Sequence, residues 1–153
     1  MLDTPVLEFD SRQPRILSFL KTVGLGSHLP QEKQINLEDY SHKLSNRATN
    51  IFMVSAERDV AHLAFYLTQT SLFVSSLSVL AEWRNSGLGA KLIRTGSQIG
   101  AIMGRELIEL ETSTTNTNAK SFYIKLGFEP TASNSPYKVY FSKRIQNNLF
   151  TEE

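Results

Sequence analysis

Cysteine is entirely absent from this chain, and histidine is scarce. The lack of cysteine excludes disulfides, thiolate metal sites and a cysteine nucleophile, and it is compatible with a reducing compartment. The three histidines, His28, His42 and His62, show no metal-ligand spacing. We therefore expect a cytoplasmic protein that holds no metal.

Net charge and long apolar runs are lacking as well. The chain has 16 basic and 15 acidic residues, so a formal charge of +1 provides no global field that would attract nucleic acid or an anionic membrane. No apolar run approaches the roughly 18 residues that cross a bilayer. The first residues, "MLDTPVLEFD", lack the basic and apolar segments of a signal peptide. We expect neither a nucleic-acid nor a membrane partner.

The chain does have enough apolar residues for one ordinary domain, since 41% of its 153 residues are hydrophobic. The apolar periodicities predict helices at 12–22, 36–48, 88–103 and 116–126, and strands at 6–9, 50–57, 60–69, 71–80, 105–112, 128–131 and 137–145. The second and third strands form a hairpin with its turn at "ERD" (57–59), and Asn36 is expected to cap the second helix. A hairpin block followed by alternating strands and helices predicts a mixed α/β (α+β) sheet with helices on both faces, in one domain over 1–153.

The segment "EWRNSGLGAKLI" (82–93) joins a predicted strand to the longest predicted helix. Glycines at a helix start expose backbone amides that favour an anion. A P-loop, G-x-x-x-x-G-K-S/T, is excluded because Lys91 lies two residues after Gly89 and precedes Leu92. A dinucleotide fingerprint is disfavoured because Leu92 replaces its third glycine. The remaining alternative is a flexible turn that binds no ligand.

A second motif narrows these alternatives. Residues 84–89, "RNSGLG", match Q/R-x-x-G-x-G/A, and residues 116–128, "NTNAKSFYIKLGF", match N-x-x-A-x-x-F/L-Y-x-x-x-G-F. The two motifs lie on successive predicted helices with one strand between them. In this order they resemble the GCN5-related N-acetyltransferase (GNAT) family. The resemblance covers roughly 5–144 and leaves 145–153 as a tail.

The resemblance implies a fold and a co-substrate. The fold would be a mixed, mostly antiparallel sheet of about seven strands with a splayed central pair and about four helices. The co-substrate would be acetyl-CoA. Its pyrophosphate would bind the loop Arg84, Asn85, Ser86, Gly87, Leu88, Gly89 and Ala90. Its pantetheine arm would bind backbone groups of the preceding strand at Leu77, Val79 and Leu80, and the amide near Val79 would stabilise the oxyanion.

The resemblance also implies roles for side chains. Tyr123 would protonate the coenzyme A sulfur, with ordinary packing as the alternative, and Asn116 would bind the pantetheine arm, cap its helix, or do both. Several family members have a glutamate on the strand before the loop, whereas "FVSSLSV" has no carboxylate. Glu111 is our first candidate for the general base and Glu109 the second. Each could instead be a solvated or ion-paired glutamate, with a water chain or an already neutral amine replacing the base.

We therefore expect an N-acetyltransferase that moves acetyl from acetyl-CoA to a primary amine by direct attack in a ternary complex. The loops 24–34 and 131–136 would line the acceptor entrance. An amino sugar or a small amine is favoured as acceptor, and a protein N-terminus or lysine is the alternative. The rival functions are a non-catalytic acyl-CoA binding or sensing module and, less favoured, a nucleotide-binding regulatory domain. The oligomeric state is left open, with a homodimer among the options.

Overall fold

The computed structural model describes residues 4–25 and 34–146, in which strands and helices follow the predicted order. The strands are β1 (Val6–Phe9), β2 (Thr49–Ser55), β3 (Arg58–Leu67), β4 (Ser71–Val79), β5 (Leu107–Ser113), β6 (Glu129–Ala132) and β7 (Lys138–Arg144). The helices are α1 (Gln13–Val23), α2 (Leu37–Arg47), α3 (Leu88–Ile102) and α4 (Thr117–Lys125). One turn of 3₁₀ helix, Ala81–Trp83, lies between β4 and α3.

The strands form one seven-stranded sheet in the order β1-β2-β3-β4-β5-β7-β6. Antiparallel pairing joins β1 to β2, β2 to β3, β5 to β7 and β6 to β7. The pairing of β4 with β5 is parallel and runs for four residue pairs, from Ser71 with Leu107 to Val74 with Leu110. The seven-stranded, mostly antiparallel sheet with four helices confirms the predicted fold.

The β2–β3 hairpin corrects one prediction. Its turn consists of Ala56 and Glu57, with φ of 51° and 64°, and β3 already begins at Arg58. Positive φ at both central residues is the geometry that matches the right-handed twist of a hairpin. The turn was predicted at "ERD" because the sequence has none of the Asn-Gly or Asp-Gly pairs that normally mark such a turn.

The chain divides into two compact units, and the first comprises Met1–Tyr66 and Ser76–Leu92. Its core is built where α1 and α2 cover β2 and β3. Phe19 of α1 meets Phe52 of β2 edge-on, with ring centroids 6.0 Å apart. Asn36 caps α2 as predicted, because its side chain accepts a hydrogen bond from the Asp39 N–H at 3.0 Å. Completely buried apolar side chains fill this core, among them Ile16, Leu20, Leu44, Ile51 and Leu63.

The second unit comprises Leu67–Ser75 and Ile93–Glu153. A glycine at position 100 of α3 permits close packing, because an added β-carbon would lie 2.6 Å from Cδ1 of Ile145 and 3.6 Å from Cβ of Leu72. The Ile145 N–H also donates to the Glu106 carbonyl at 2.8 Å. Ile145 therefore belongs to the packed core, one residue beyond the predicted boundary, whereas 147–153 of the predicted tail lie outside the described residues.

The helices are short. The longest in the described ranges, α3, has 15 residues, and none of those described is long and apolar enough to span a membrane.

Candidate active site

The loop that leads into α3 is shaped by a series of backbone hydrogen bonds. Leu80, just past the end of β4, donates its N–H to the Val60 carbonyl at 2.9 Å. The 3₁₀ turn follows, with the Trp83 N–H donating to the Leu80 carbonyl at 2.8 Å and the Arg84 N–H to the Ala81 carbonyl at 3.2 Å. These bonds turn the chain sharply between β4 and α3.

The turn ends in two left-handed residues. Asn85 has a φ of 63° and Gly87 a φ of 87°, and asparagine is among the few non-glycine residues that tolerate this region. The Lys91 N–H donates to the Gly87 carbonyl at 3.0 Å as α3 begins. The N–H groups of a helix's first turn have no intrahelical partner and form its positive end. Residues 84–90 therefore have the geometry of an anion-binding helix start.

Side chains support this electrostatic picture. The only carboxylate in residues 82–93 is that of Glu82, and it accepts a hydrogen bond from Arg58 Nη1 at 2.7 Å. This bond lowers the pKa of Glu82, and the pairing offsets its negative charge near the loop. Arg84 is exposed and donates from Nε to the Val79 carbonyl at 3.3 Å, so its charge lies at the end of β4.

Within the first unit, the predicted coenzyme A residues form one continuous strand–turn–helix segment. Leu80 and Leu88 are buried, and Leu77, Val79, Gly89 and Ala90 are half-buried. The Ser86 hydroxyl donates to the Trp83 carbonyl and helps to hold the turn. The β-carbon of a residue at position 87 would meet no protein atom within 4 Å. Without a bound ligand, therefore, the positive φ is the one feature that favours glycine at this position.

The second unit holds Asn116 and Tyr123 on α4. The Asn116 side chain accepts a hydrogen bond from the Ala119 N–H at 3.1 Å, which establishes its predicted role as helix cap. Tyr123 is buried, and its ring packs against Phe122, Phe128 and Phe141 with centroid distances of 5.0, 5.5 and 5.8 Å. Burial raises the pKa of Tyr123 above that of a free tyrosine, so the phenol stays protonated and is a weaker proton donor than a free tyrosine.

The end of α4 is fixed by a lysine that sequence reasoning missed. Lys143 of β7 donates from Nζ to the Leu126 carbonyl at 2.7 Å, and the Phe128 N–H donates to the Tyr123 carbonyl at 3.0 Å. A cation at a helix C-terminus is stabilising. The sequence does carry a signal for this role, because Lys143 alternates onto the same face of β7 as the buried Phe141, where a lysine needs a partner.

Glu109 and Glu111 lie on the polar face of β5, as predicted, with Glu111 exposed and Glu109 half-buried. The register places Tyr140 of β7 opposite Glu111 and Ser142 opposite Glu109. Burial, together with the neighbouring carboxylates of Glu109 and Glu111, raises the pKa of Tyr140. No motif in the sequence marks Tyr140, because its position depends on the pairing of β5 with β7.

The structure thus gathers the predicted site residues in two groups: Leu77–Ala90 in the first unit, and Glu109, Glu111, Asn116 and Tyr123 in the second. Of the loops expected to line the acceptor entrance, 26–33 lie outside the described residues. The other is ordered by Ser133, whose hydroxyl donates to the Lys138 carbonyl at 2.9 Å. Across residues 4–25 and 34–146, no group of three or more histidine, aspartate or glutamate side chains is arranged to hold a metal.

Comparison with known proteins gives the same family as the two sequence motifs. The profile of the acetyltransferase (GNAT) domain matches residues 47–130, more than half of the chain. A search of the curated proteins gave no match. The chain belongs to the GNAT family and is an acetyl-CoA-dependent N-acetyltransferase. This assignment favours an enzyme over a non-catalytic binding module.

Solved structures share the fold at low sequence identity. A protein of the GNAT acetyltransferase family from Desulfovibrio desulfuricans has a TM-score of 0.77 at 15% identity, covering 94% of this chain and 100% of its own. The PaiA N-acetyltransferase from Thermoplasma acidophilum, in complex with coenzyme A, has a TM-score of 0.72 at 12% identity, with coverages of 91% and 99%. The ribosomal-protein-S18-alanine N-acetyltransferase from Escherichia coli has a TM-score of 0.71 at 15% identity, with coverages of 95% and 99%.

Proposed function

We propose that this enzyme transfers the acetyl group of acetyl-CoA directly to a primary amine, with both substrates bound at once. The observation that carries the proposal is the start of α3, where Asn85 and Gly87 are left-handed and the amides of the first turn are available to an anion. The pyrophosphate of acetyl-CoA is the anion that we assign to it. The structure of PaiA with coenzyme A shows that this fold accommodates the cofactor.

The chemistry requires a neutral amine, a stabilised oxyanion and a proton for the departing sulfur. In the proposed reaction Glu111 takes a proton from the acceptor's ammonium group, and the amine nitrogen attacks the thioester carbon. A C–N bond forms, the C–S bond breaks, and the backbone amide near Val79 stabilises the oxyanion between these events. Tyr123 gives its proton to the sulfur, the nitrogen's second proton returns through solvent to the phenolate as the amide forms, and the proton held by Glu111 passes to solvent. Support for Tyr123 comes from its place in the matched motif and from the packing that fixes its ring.

The acceptor that we propose is a small amine or an amino sugar. The stretches expected to face it, 24–34 and 131–136, contain no dense cluster of charge of one sign, which argues against a strongly charged polymer. The neighbour from Escherichia coli acts, by its name, on an alanine of a ribosomal protein, so a peptide with a free N-terminus belongs in the same test. Cytoplasmic location, a single domain, the absence of nucleic-acid and membrane partners, and the oligomeric state stay predictions.

The loop assignment is tested by Gly87→Val. We expect this substitution to weaken acetyl-CoA binding by at least about tenfold, because its branched side chain occupies space next to the amides. Calorimetric titration with acetyl-CoA measures the change. Gly104→Val is the matched control, since Gly104 also has a positive φ, of 76°, and no atom within 4 Å of an added β-carbon. A folded Gly87→Val enzyme with unchanged affinity would contradict the assignment.

The reaction itself is tested by following thiol release from acetyl-CoA with a panel of glucosamine, ethanolamine and an alanine-terminated peptide. We expect release that depends on the amine, with glucosamine or ethanolamine reacting faster than the peptide. Release at the same rate with and without amine, from an enzyme that binds acetyl-CoA, would refute amine acetylation.

A further inference from the structure

Helix α4 is short and has few buried side chains to hold it in place. It has nine residues, all of which the structure describes, and Tyr123 is the only buried one among them. Helices of this length are marginal on their own, and tertiary contacts supply most of their stability. The two ends of α4 must therefore contribute much of its anchoring. Asn116 anchors the first end through its side-chain bond to the Ala119 N–H.

The second end of α4 is a Schellman motif that includes Tyr123. Gly127 has a φ of 94°, and its N–H donates to the Ile124 carbonyl at 2.9 Å. The Phe128 N–H donates to the Tyr123 carbonyl at 3.0 Å. A hydrophobic contact between the residues joined by this longer bond frequently accompanies the motif. Here the rings of Tyr123 and Phe128 make that contact, with centroids 5.5 Å apart. The cap thus holds the proposed acid through its backbone and through its ring.

Lys143 of β7 completes this cap. The last carbonyls of a helix have no intrahelical partner, and the Leu126 carbonyl accepts a hydrogen bond from Lys143 Nζ at 2.7 Å. The lysine side chain runs past Gly127, where an added β-carbon would lie 3.5 Å from its Cε and 3.6 Å from its Nζ. Two residues earlier on the same strand, the ring of Phe141 lies 5.8 Å from that of Tyr123. One strand therefore supports both the cap and the ring.

We propose that Lys143 is a positioning residue of acetyl transfer: by bonding the Leu126 carbonyl it fixes the end of α4, and so holds the Tyr123 hydroxyl where the departing sulfur takes its proton. This inference rests on the proposed function and adds to it a residue that lies in neither matched motif. A general acid must lie within hydrogen-bond reach of the atom that it protonates, and small displacements of a positioned group have large effects on rate. In this role Lys143 acts through Tyr123 rather than on the substrate.

The first measurement does not depend on activity. Amide hydrogen exchange, followed by NMR, is compared in the wild type and Lys143→Met, since methionine keeps much of the stem but has neither the donor nor the charge. Exchange of the Phe128 N–H should be faster in the variant by about fivefold or more, because the cap opens more often. Lys125→Met is the matched control, since Lys125 is also a cation in the last turn of α4 but is exposed. Equal exchange in the wild type and Lys143→Met would overturn the inference.

The second measurement is kcat for the fastest-reacting amine of the panel above, at saturating acetyl-CoA. Lys143→Met should lower kcat by about threefold or more and leave the KM for the amine nearly unchanged, because the substitution affects proton transfer and not amine binding. Lys143→Arg should recover most of the loss, because a guanidinium also donates to a carbonyl. Lys125→Met should keep the wild-type kcat.

A double variant distinguishes positioning of Tyr123 from general support of the fold. In Tyr123→Phe the hydroxyl is already gone, so the addition of Lys143→Met should lower kcat no further. A further loss as large as that in the wild-type background would overturn the inference, as would a wild-type kcat in folded Lys143→Met. A wild-type kcat in Tyr123→Phe would also overturn it, because no acid would be left to position. Lys143→Gln, which is shorter and uncharged, serves the same comparisons if Lys143→Met does not fold.

The outcomes separate the two proposals. An enzyme that acetylates the amine panel but is insensitive to substitution of Lys143 would keep the proposed function and lose this inference. An enzyme that binds acetyl-CoA but acetylates no member of the panel would overturn the proposed function and this inference together.

Discussion

Acid should destabilise the protein through His62, a histidine that the proposed chemistry does not use. His62 is completely buried on β3, and its ring lies 4.7 Å from that of Phe52. Its Nε2 is 2.9 Å from Oδ1 of Asn50. The Asn50 Nδ2 group donates to the Leu44 carbonyl at 2.9 Å and to the Ala48 carbonyl at 3.2 Å, so Oδ1 is the acceptor and Nε2 of His62 carries the hydrogen. The second nitrogen, Nδ1, is buried without a partner in the part of the chain that the structure describes.

The expected magnitude follows from the pKa of this ring. Burial lowers the pKa of His62 from 6.5 to about 4. As the pH falls from 6.5 towards 4, the unfolded chain takes up a proton that the folded protein refuses, so the free energy of unfolding decreases. One pKa unit corresponds to about 1.36 kcal/mol, so His62 alone lowers the free energy of unfolding by about 3 kcal/mol once the pH is well below 4. About 2 kcal/mol of this decrease has occurred by pH 5. This is a large share of the stability of an ordinary domain.

Urea unfolding at pH 7, 6 and 5 measures the effect in the wild type and in His62→Gln. Glutamine keeps an N–H donor for Asn50 and cannot be protonated in this range. Between pH 7 and 5 the wild type should lose about 2 kcal/mol more than the variant. His42→Gln, which replaces an exposed histidine of α2, is the control and should follow the wild-type slope. Equal slopes for the wild type and His62→Gln would refute the argument.

Two further predictions concern the catalytic side chains. Tyr123→Phe should leave acetyl-CoA affinity and folding nearly unchanged but lower kcat by at least about tenfold, because the sulfur loses its acid. Stopped-flow rates of acetyl transfer measure the change, and a wild-type kcat, where chemistry limits the rate, would make Tyr123 a packing residue. Glu111→Gln should lower kcat/KM most at low pH, where the amine is protonated and needs a base, and pH–rate profiles measure the loss. Full activity in a double variant that also carries Glu109→Gln would assign the proton to water.

The sequence allowed prediction of those features that depend on neighbours along the chain. The helix caps Asn36 and Asn116 were recognisable because a cap acts within three residues of its own position. The loop at 84–90 was recognisable for the same reason, since a turn, two glycines and a helix start are contiguous. The alternation of β5 was also correctly predicted, because a period of two residues assigns its faces without knowledge of the partner strands.

Features that depend on pairing between distant segments were not predictable. The pairing of Tyr140 with Glu111 requires the register of β5 against β7, two strands that are separated in the chain by the whole of α4 and β6. The bond from Lys143 to the end of α4 depends on the same sheet. The hairpin turn at Ala56–Glu57 was misplaced because ordinary residues adopt its left-handed conformation under the constraint of the paired strands.

The two groups of site residues differ in kind, and this difference has a testable consequence. The first group presents backbone amides, so its sequence signature consists of glycine and small residues whose side chains do no chemistry. The second group presents a phenol and two carboxylates, which are side chains that can transfer protons. Removing backbone access at Gly87 should therefore change the Kd for acetyl-CoA. Removing the Tyr123 hydroxyl should change kcat and leave that Kd alone, because the two substitutions act on different steps. An equal loss of affinity in both variants would mean that acetyl-CoA binding, too, depends on the side chain at Tyr123.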